Sequence, residues 1–182
     1  LDDACRGKGI DAETLFREVE AACQLLEEPE RDWTDAPLKE LVDHIVAKHH
    51  VYLRQELPHI EQRLTKVLEA HRRRHGNILI PLARVFADLK AELEMHIRKE
   101  ETILFPFIVR AEQSAAAGLA WTPPPFGTVG NPIRMMEHEH ESAGPALQEI
   151  RRLTSRFALP DDACATFRAL YTSLAELERD LH

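Results

Sequence analysis

A histidine and a glutamate stand four residues apart inside an apolar helical pattern, and this feature constrains the fold most. The apolar residues recur at the helical period and define one face, with His96 and Glu100 in its middle. That face comprises Leu82, Val85, Phe86, Leu89, Leu93, Leu104 and Phe107. Because an unpaired carboxylate among leucines is strongly destabilising, we expect a cation to face Glu100. A metal ion inside a helical bundle would meet this need.

Composition indicates one compact, mostly helical protein. The chain has 182 residues and only seven glycines, and its net charge of −8 argues against a nucleic-acid or anionic-membrane surface. No apolar stretch is long enough to span a bilayer, and the first residues do not read as a signal peptide. Cys5, Cys23 and Cys164 are scattered, which predicts a reducing compartment and no local thiolate zinc site.

The pattern predicts an all-α fold in three segments. Residues 1–28 read as a small helical piece, residues 29–37 as a linker, and residues 38–182 as a bundle. Four amphipathic helices of this size predict an up-down-up-down four-helix bundle, which commonly houses di-iron carboxylate sites. The predicted helices run from Pro37 to about His71 with a kink or restart at Pro58, from about Ile78 to Glu112, from Pro132 to about Phe157, and onward from an N-cap at Asp161.

Periodicity also ranks the other histidines. On the first helix it places His49 near the centre of the apolar face and His50 at its edge. His140 aligns with the apolar residues of the third helix, as a ligand or as a core histidine bonded to a carboxylate. His71 follows His50 by 21 residues, or about 32 Å of helix. It would reach the same site only if Pro58 reversed the chain.

These residues carry a family resemblance. The motif His-x-x-x-Glu-Glu-x-x-Leu-Phe-Pro at 96–106, with a later Glu139-His140 and an earlier His49-His50, resembles the hemerythrin-like HHE domain. More narrowly, the chain is similar to the di-iron proteins that repair iron-sulfur clusters. The segment from Leu1 to Asp11 resembles the end of the small domain that precedes the bundle in that family.

The resemblance implies a ligand set. It makes His50, His96 and His140 iron ligands and Glu100 a bridging carboxylate, and it prefers His50 to the His49 that periodicity favours. His49 would then pack behind a ligand, while Glu92 and Glu139 would accept a hydrogen bond from a ligand's other ring nitrogen or lie on a proton path. The family pattern also expects a Cys-Cys pair upstream of Leu1 and a second His-x-x-x-Glu that begins two residues beyond His182, so we expect a chain truncated at both ends. The position of His182 itself is out of phase by about 160°.

The implied cofactor is a pair of non-haem iron ions with carboxylate and oxo bridges. The implied function is a cytoplasmic stress protein that restores iron-sulfur clusters damaged by nitrosative or oxidative chemistry. It would donate iron or react with nitric oxide, so its partners would be damaged iron-sulfur proteins and the diatomics NO and O₂. Two alternatives are a hemerythrin-like O₂ or NO sensor or carrier without turnover, and a metal-free helical interaction module. For the metal-free module, Glu100→Gln is expected to preserve or raise stability.

Overall fold

The structure is a computed structural model that describes residues 32–119 and 130–181, without the side chains of residues 132–133 and 137–142. The chain divides into two compact units, Leu1–Ala36 and Pro37–His182. The helices predicted within residues 1–28 lie outside the described residues. Among the residues described, no helix is long and apolar enough to cross a membrane.

The described part of the second unit is helical, which confirms the all-α prediction. We label its α-helices α1 to α5, and two π-helical turns interrupt the sequence of helices. In chain order the elements are α1 (Leu38–Ile45), a first π-turn (Val46–His50), α2 (Val51–Lys99), a second π-turn (Glu100–Leu104), α3 (Phe105–Ala116), α4 (Gly130–Leu153) and α5 (Ala165–Asp180).

Helix α2 is a helical hairpin rather than a straight rod. A straight helix of its 49 residues would be about 73 Å long. However, Lys90 Nζ lies 2.6 Å from a carboxylate oxygen of Glu61, so the chain must reverse between them. Residues that pair across the hairpin are centred near Gly76, where the sequence predicts a break between two helices. Pro58 lies inside the first arm and does not reverse the chain.

The start of α1 is tied to the end of α3 by a capping carboxylate. The backbone N–H groups of Leu38 and Lys39 donate to the two oxygens of Glu112, at 2.6 and 3.0 Å. These amides have no acceptor within their own helix, and the positive end of the helix dipole favours an anion there. Glu112 therefore holds α1 antiparallel to α3.

The predicted apolar face forms the core. Leu82, Phe86 and Leu89 are almost completely buried, and Val85 packs beside them. Helices α4 and α5 complete this core with Leu147, Ile150, Phe167, Leu170, Tyr171, Leu174 and Leu177. Leu104, Phe105 and Met136 form a second buried cluster next to the two π-turns.

Two predicted helix ends were wrong. Helix α4 ends at Leu153 rather than near Phe157, because residues 155–157 all have positive φ and Thr154 Oγ1 accepts the Phe157 N–H at 3.1 Å. Cys164, not Asp161, is the N-cap residue of α5. The backbone N–H of Ala163 donates to the Pro160 carbonyl at 3.0 Å, so a turn precedes the helix.

Candidate metal centre

His50 and Glu100 lie face to face where the two π-turns adjoin the long helix α2. His50 is the last residue of the first π-turn, and Glu100 is the first residue of the second. A π-turn contains about one residue more than an α-turn, so it rotates the positions that follow it by about 100°. His50 consequently takes the inward position that an uninterrupted α-helix would give to His49. His50 is buried, whereas the side chain of His49 is 35% exposed.

Glu100 presents one carboxylate oxygen to each of two buried histidines. Its Oε2 lies 3.0 Å from His50 Nε2, and its Oε1 lies 3.4 Å from His96 Nε2. All three side chains are buried. A carboxylate that offers separate oxygens to two imidazoles has the donor arrangement expected of a bridge between two metal ions. Imidazole and carboxylate together suit iron, manganese and zinc.

A second carboxylate orients His50 from behind. Glu101 Oε1 accepts a hydrogen bond from His50 Nδ1 at 2.9 Å, and Arg54 donates to the other oxygen of Glu101 at 2.6 Å. The ring of Phe105 stacks on the imidazole, with 5.6 Å between centroids and 10° between planes. These contacts fix the ring so that Nε2 faces Glu100. A metal-bound histidine usually gives its other N–H to such an acceptor.

The electrostatics agree with a site built for positive charge. Burial alone would raise the pKa of Glu100, but hydrogen bonds from His50 and His96 outweigh it and lower that pKa to about 2. Burial would lower the pKa of His50, and its bonds to Glu100 and Glu101 raise it instead. Because both ring nitrogens of His50 face carboxylate oxygens, the metal-free protein holds this residue as an imidazolium.

Asp180 adds a further carboxylate at this end of the bundle. Its Oδ1 lies 3.1 Å from Nδ1 of His49, the residue that precedes His50. Its Oδ2 is buried and has no hydrogen-bond partner among the residues that the structure describes. Buried polar atoms are nearly always satisfied, so the donor set at this end fits a metal ion.

The structure brings together only some of the predicted site residues. His50, His96 and Glu100 meet. His140 lies on α4, one turn after the buried Met136, and its side chain is outside the described residues, as are the side chain of Glu139 and all of His182.

Glu92 is exposed, and His71 lies at the opposite end of the α2 hairpin, beside Cys164. His71 therefore does not join His50, because Pro58 does not reverse the chain.

Sequence reasoning missed Glu101, Arg54 and Asp180. The Glu-Glu pair at 100–101 was a signal for Glu101, since two adjacent acids after His96 cannot both face the same way. A cleft of about 410 Å³ opens beside Glu101 and is lined by Arg54, Arg98 and Thr102 among others. It gives solvent a polar approach to the carboxylate behind His50.

Comparisons with known proteins show the family to which the chain belongs. Residues 41–182 match the family described as Hemerythrin HHE cation binding domain. The iron-sulfur cluster repair protein YtfE of Citrobacter koseri is 37% identical over 182 residues, which is 100% of this chain and 75% of that protein. The protein of the same name in Escherichia coli O157:H7 is 36% identical with the same coverage. That of Cronobacter sakazakii is 36% identical over 194 residues, covering 79% of its length.

Proposed function

Because this chain belongs to the hemerythrin HHE cation-binding family, and within it to the iron-sulfur cluster repair proteins, we propose that it is a non-haem di-iron protein that repairs damaged iron-sulfur clusters. The damage would be nitrosative or oxidative, and the protein would act in the cytoplasm under stress. The observation that carries the proposal is Glu100, buried with a different imidazole at each of its two oxygens.

The proposed ligands are His50, His96 and His140, with Glu100 as the bridging carboxylate. Iron bound there would supply reversible one-electron chemistry and open positions for NO or O₂. The side chains around the site would orient the ligands and shield the iron from water. Glu101 and Arg54 hold the ring of His50, and the cluster of Leu104, Phe105 and Met136 excludes water from one side. Glu92 is exposed and makes a weaker candidate than Glu101 for supporting a ligand.

The protein would restore a cluster in one of two ways. In the first, iron is cargo that passes to a damaged cluster. In the second, the protein removes nitric oxide at its iron centre. Its partners would be damaged iron-sulfur proteins and the diatomics NO and O₂.

The test treats a purified iron-sulfur enzyme with nitric oxide and then adds the iron-loaded protein. We expect the enzyme's activity to recover with wild type and with Glu94→Gln, a control at an exposed position of the same helical arm. We expect little recovery with Glu100→Gln. Iron donation predicts that the enzyme gains the iron that the repair protein loses, whereas NO removal predicts recovery without iron transfer.

The sensor or carrier alternative predicts a different result. The protein would bind NO or O₂ reversibly, and the damaged enzyme would not recover. Equal recovery with wild type and with Glu100→Gln would also contradict the proposal.

A further inference from the structure

A second group of metal-binding side chains lies at the other end of the helical hairpin. His71 and His75 are one turn apart near the reversal of α2, and Asp162 and Cys164 precede α5. The helical rise from His50 to His71 is about 32 Å, so this group is separate from the candidate iron centre. No short sequence motif indicates this group, because Cys164 follows His71 by 93 residues.

The donor atoms already converge. One ligand atom from each of His71, His75 and Asp162 lies within 4.8 Å of the others. His75 Nε2 is 2.8 Å from Asp162 Oδ1, and the two imidazole centroids are 6.0 Å apart. In tetrahedral zinc sites, bond lengths of about 2.0–2.3 Å place the donor atoms roughly 3.3–3.7 Å from one another. Small side-chain movements would therefore produce a chelating geometry.

Cys164 lies against one member of this triad, although its Sγ does not belong to the group of donor atoms that already converge. Its Sγ lies 3.3 Å from His71 Nε2. The thiolate is the form that binds metal.

Neighbouring side chains fix the orientation of these donor groups, as the residues around a metal site usually do for its ligands. Arg74 pairs with Asp162 Oδ2 at 3.0 Å, which leaves Oδ1 on the histidine side. The ring of Phe167 packs edge-on against both imidazoles, with centroid distances of 5.2 Å to His71 and 5.8 Å to His75. Such supporting contacts fix ligand orientation.

We propose that His71, His75, Asp162 and Cys164 form a second metal site, which takes a four-coordinate divalent ion of the zinc(II) class. Two imidazoles, one thiolate and one carboxylate suit zinc. The four ligands come from the hairpin reversal and from the segment before α5. A metal bound by them would tie these two parts of the chain together, so we assign the site a structural role.

Cobalt(II) tests the proposal, because a thiolate ligand gives cobalt a near-ultraviolet charge-transfer band. The titration uses the chain of residues 1–182 with Cys5→Ser and Cys23→Ser, so that Cys164 is the one thiol left in it. We expect the band to appear and to vanish with Cys164→Ser. His75→Gln and Asp162→Asn should weaken cobalt binding at this site at least about 10-fold. Zinc at 100 times its Kd should raise Tm by about 5–10 °C.

Two controls separate this site from the iron centre. His59→Gln removes an exposed histidine from the same helical arm and should leave the thiolate band unchanged. Glu100→Gln should remove metal from the candidate iron centre and also leave the band intact. Asp162 lies partly exposed in a loop, so its variant is expected to fold even if a histidine variant does not.

The absence of a thiolate band at saturating cobalt would overturn the proposal. So would unchanged affinity in both His75→Gln and Asp162→Asn. In that case the four side chains would be hydrogen-bonded pairs that join the hairpin to the loop without a metal.

Discussion

Replacing Glu100 with glutamine tests the candidate metal centre most directly. Glu100 is buried, and its pKa is lowered from 4.5 to about 2 by its two histidines. Such a shift corresponds to about 3 kcal/mol, and screening by the remaining solvent reduces it to about 2–3 kcal/mol. Breaking a buried ion pair has a similar cost, about 3–5 kcal/mol. The metal-free Glu100→Gln protein should therefore melt about 4–12 °C below wild type.

This result would differ from the expectation drawn from sequence alone. If Glu100 were an unpaired buried carboxylate, Glu100→Gln would remove the desolvation cost of its charge. The metal-free bundle would then keep or gain stability. In the structure Glu100 accepts from His50, so the substitution leaves a buried imidazolium with one carboxylate fewer. Metal-free stability should fall whether or not the protein is an iron protein, and the iron content becomes the deciding measurement.

The assay compares wild type, Glu100→Gln and the exposed control Glu94→Gln. Thermal unfolding is followed by circular dichroism after chelation, and iron per chain is measured by elemental analysis after loading. We expect Glu94→Gln to match wild type in both, and Glu100→Gln to lose more than half of the iron. A Glu100→Gln protein with wild-type iron content and a Tm within about 1 °C of wild type would refute the reasoning.

Three further predictions follow from single contacts. Glu101→Gln should lower iron affinity about 10- to 100-fold, because His50 loses its charged acceptor; unchanged affinity by competitive chelation would contradict this role. Glu112→Ala should lower stability by about 1 kcal/mol through the lost cap on α1, measured by urea unfolding; an unchanged midpoint would show that the cap contributes nothing. Asp162 has a pKa lowered from 3.8 to about 2, first by Arg74 and then by His75. The lowered pKa stabilises the fold above pH 3.8, so the Tm difference between wild type and Asp162→Asn should shrink as the pH falls from 3.8 towards 2. A constant difference over that range would show that this ion pair does not titrate with folding.

The sequence predicted the core of the site because one signal carries it. His96 and Glu100 interrupt an apolar face at helical spacing, and the structure buries both. The same periodicity gave the buried leucines of that face and placed the hairpin reversal near Gly76. Helix ends were less predictable. The end of α4 depends on a hydroxyl of Thr154 and on left-handed residues, which hydrophobic spacing does not report.

Contacts between residues that are far apart in the sequence could not be predicted from helical spacing. Arg54 meets Glu101 across 47 positions, and His49 meets Asp180 across 131. Each pair forms only after the hairpin closes and α5 packs. Glu92 was chosen as a supporting carboxylate because it lies one turn before His96, but its side chain faces solvent. Spacing along the helix points to Glu92, whereas the carboxylate that the structure places against His50 Nδ1 is Glu101.

The choice between His49 and His50 shows why a strict helical count fails at this site. Ile45 packs inward, and in an α-helix the residue four positions later would follow it. The π-turn makes the inward residue His50, five positions later. A second π-turn begins at Glu100, and five positions later Phe105 reaches the ring of His50. π-turns are rare and frequently occur at functional sites. The first is explained by the need to place His50 against Glu100, and the second, which begins at Glu100, brings Phe105 onto the ring of His50. Packing of the apolar face alone would not require either.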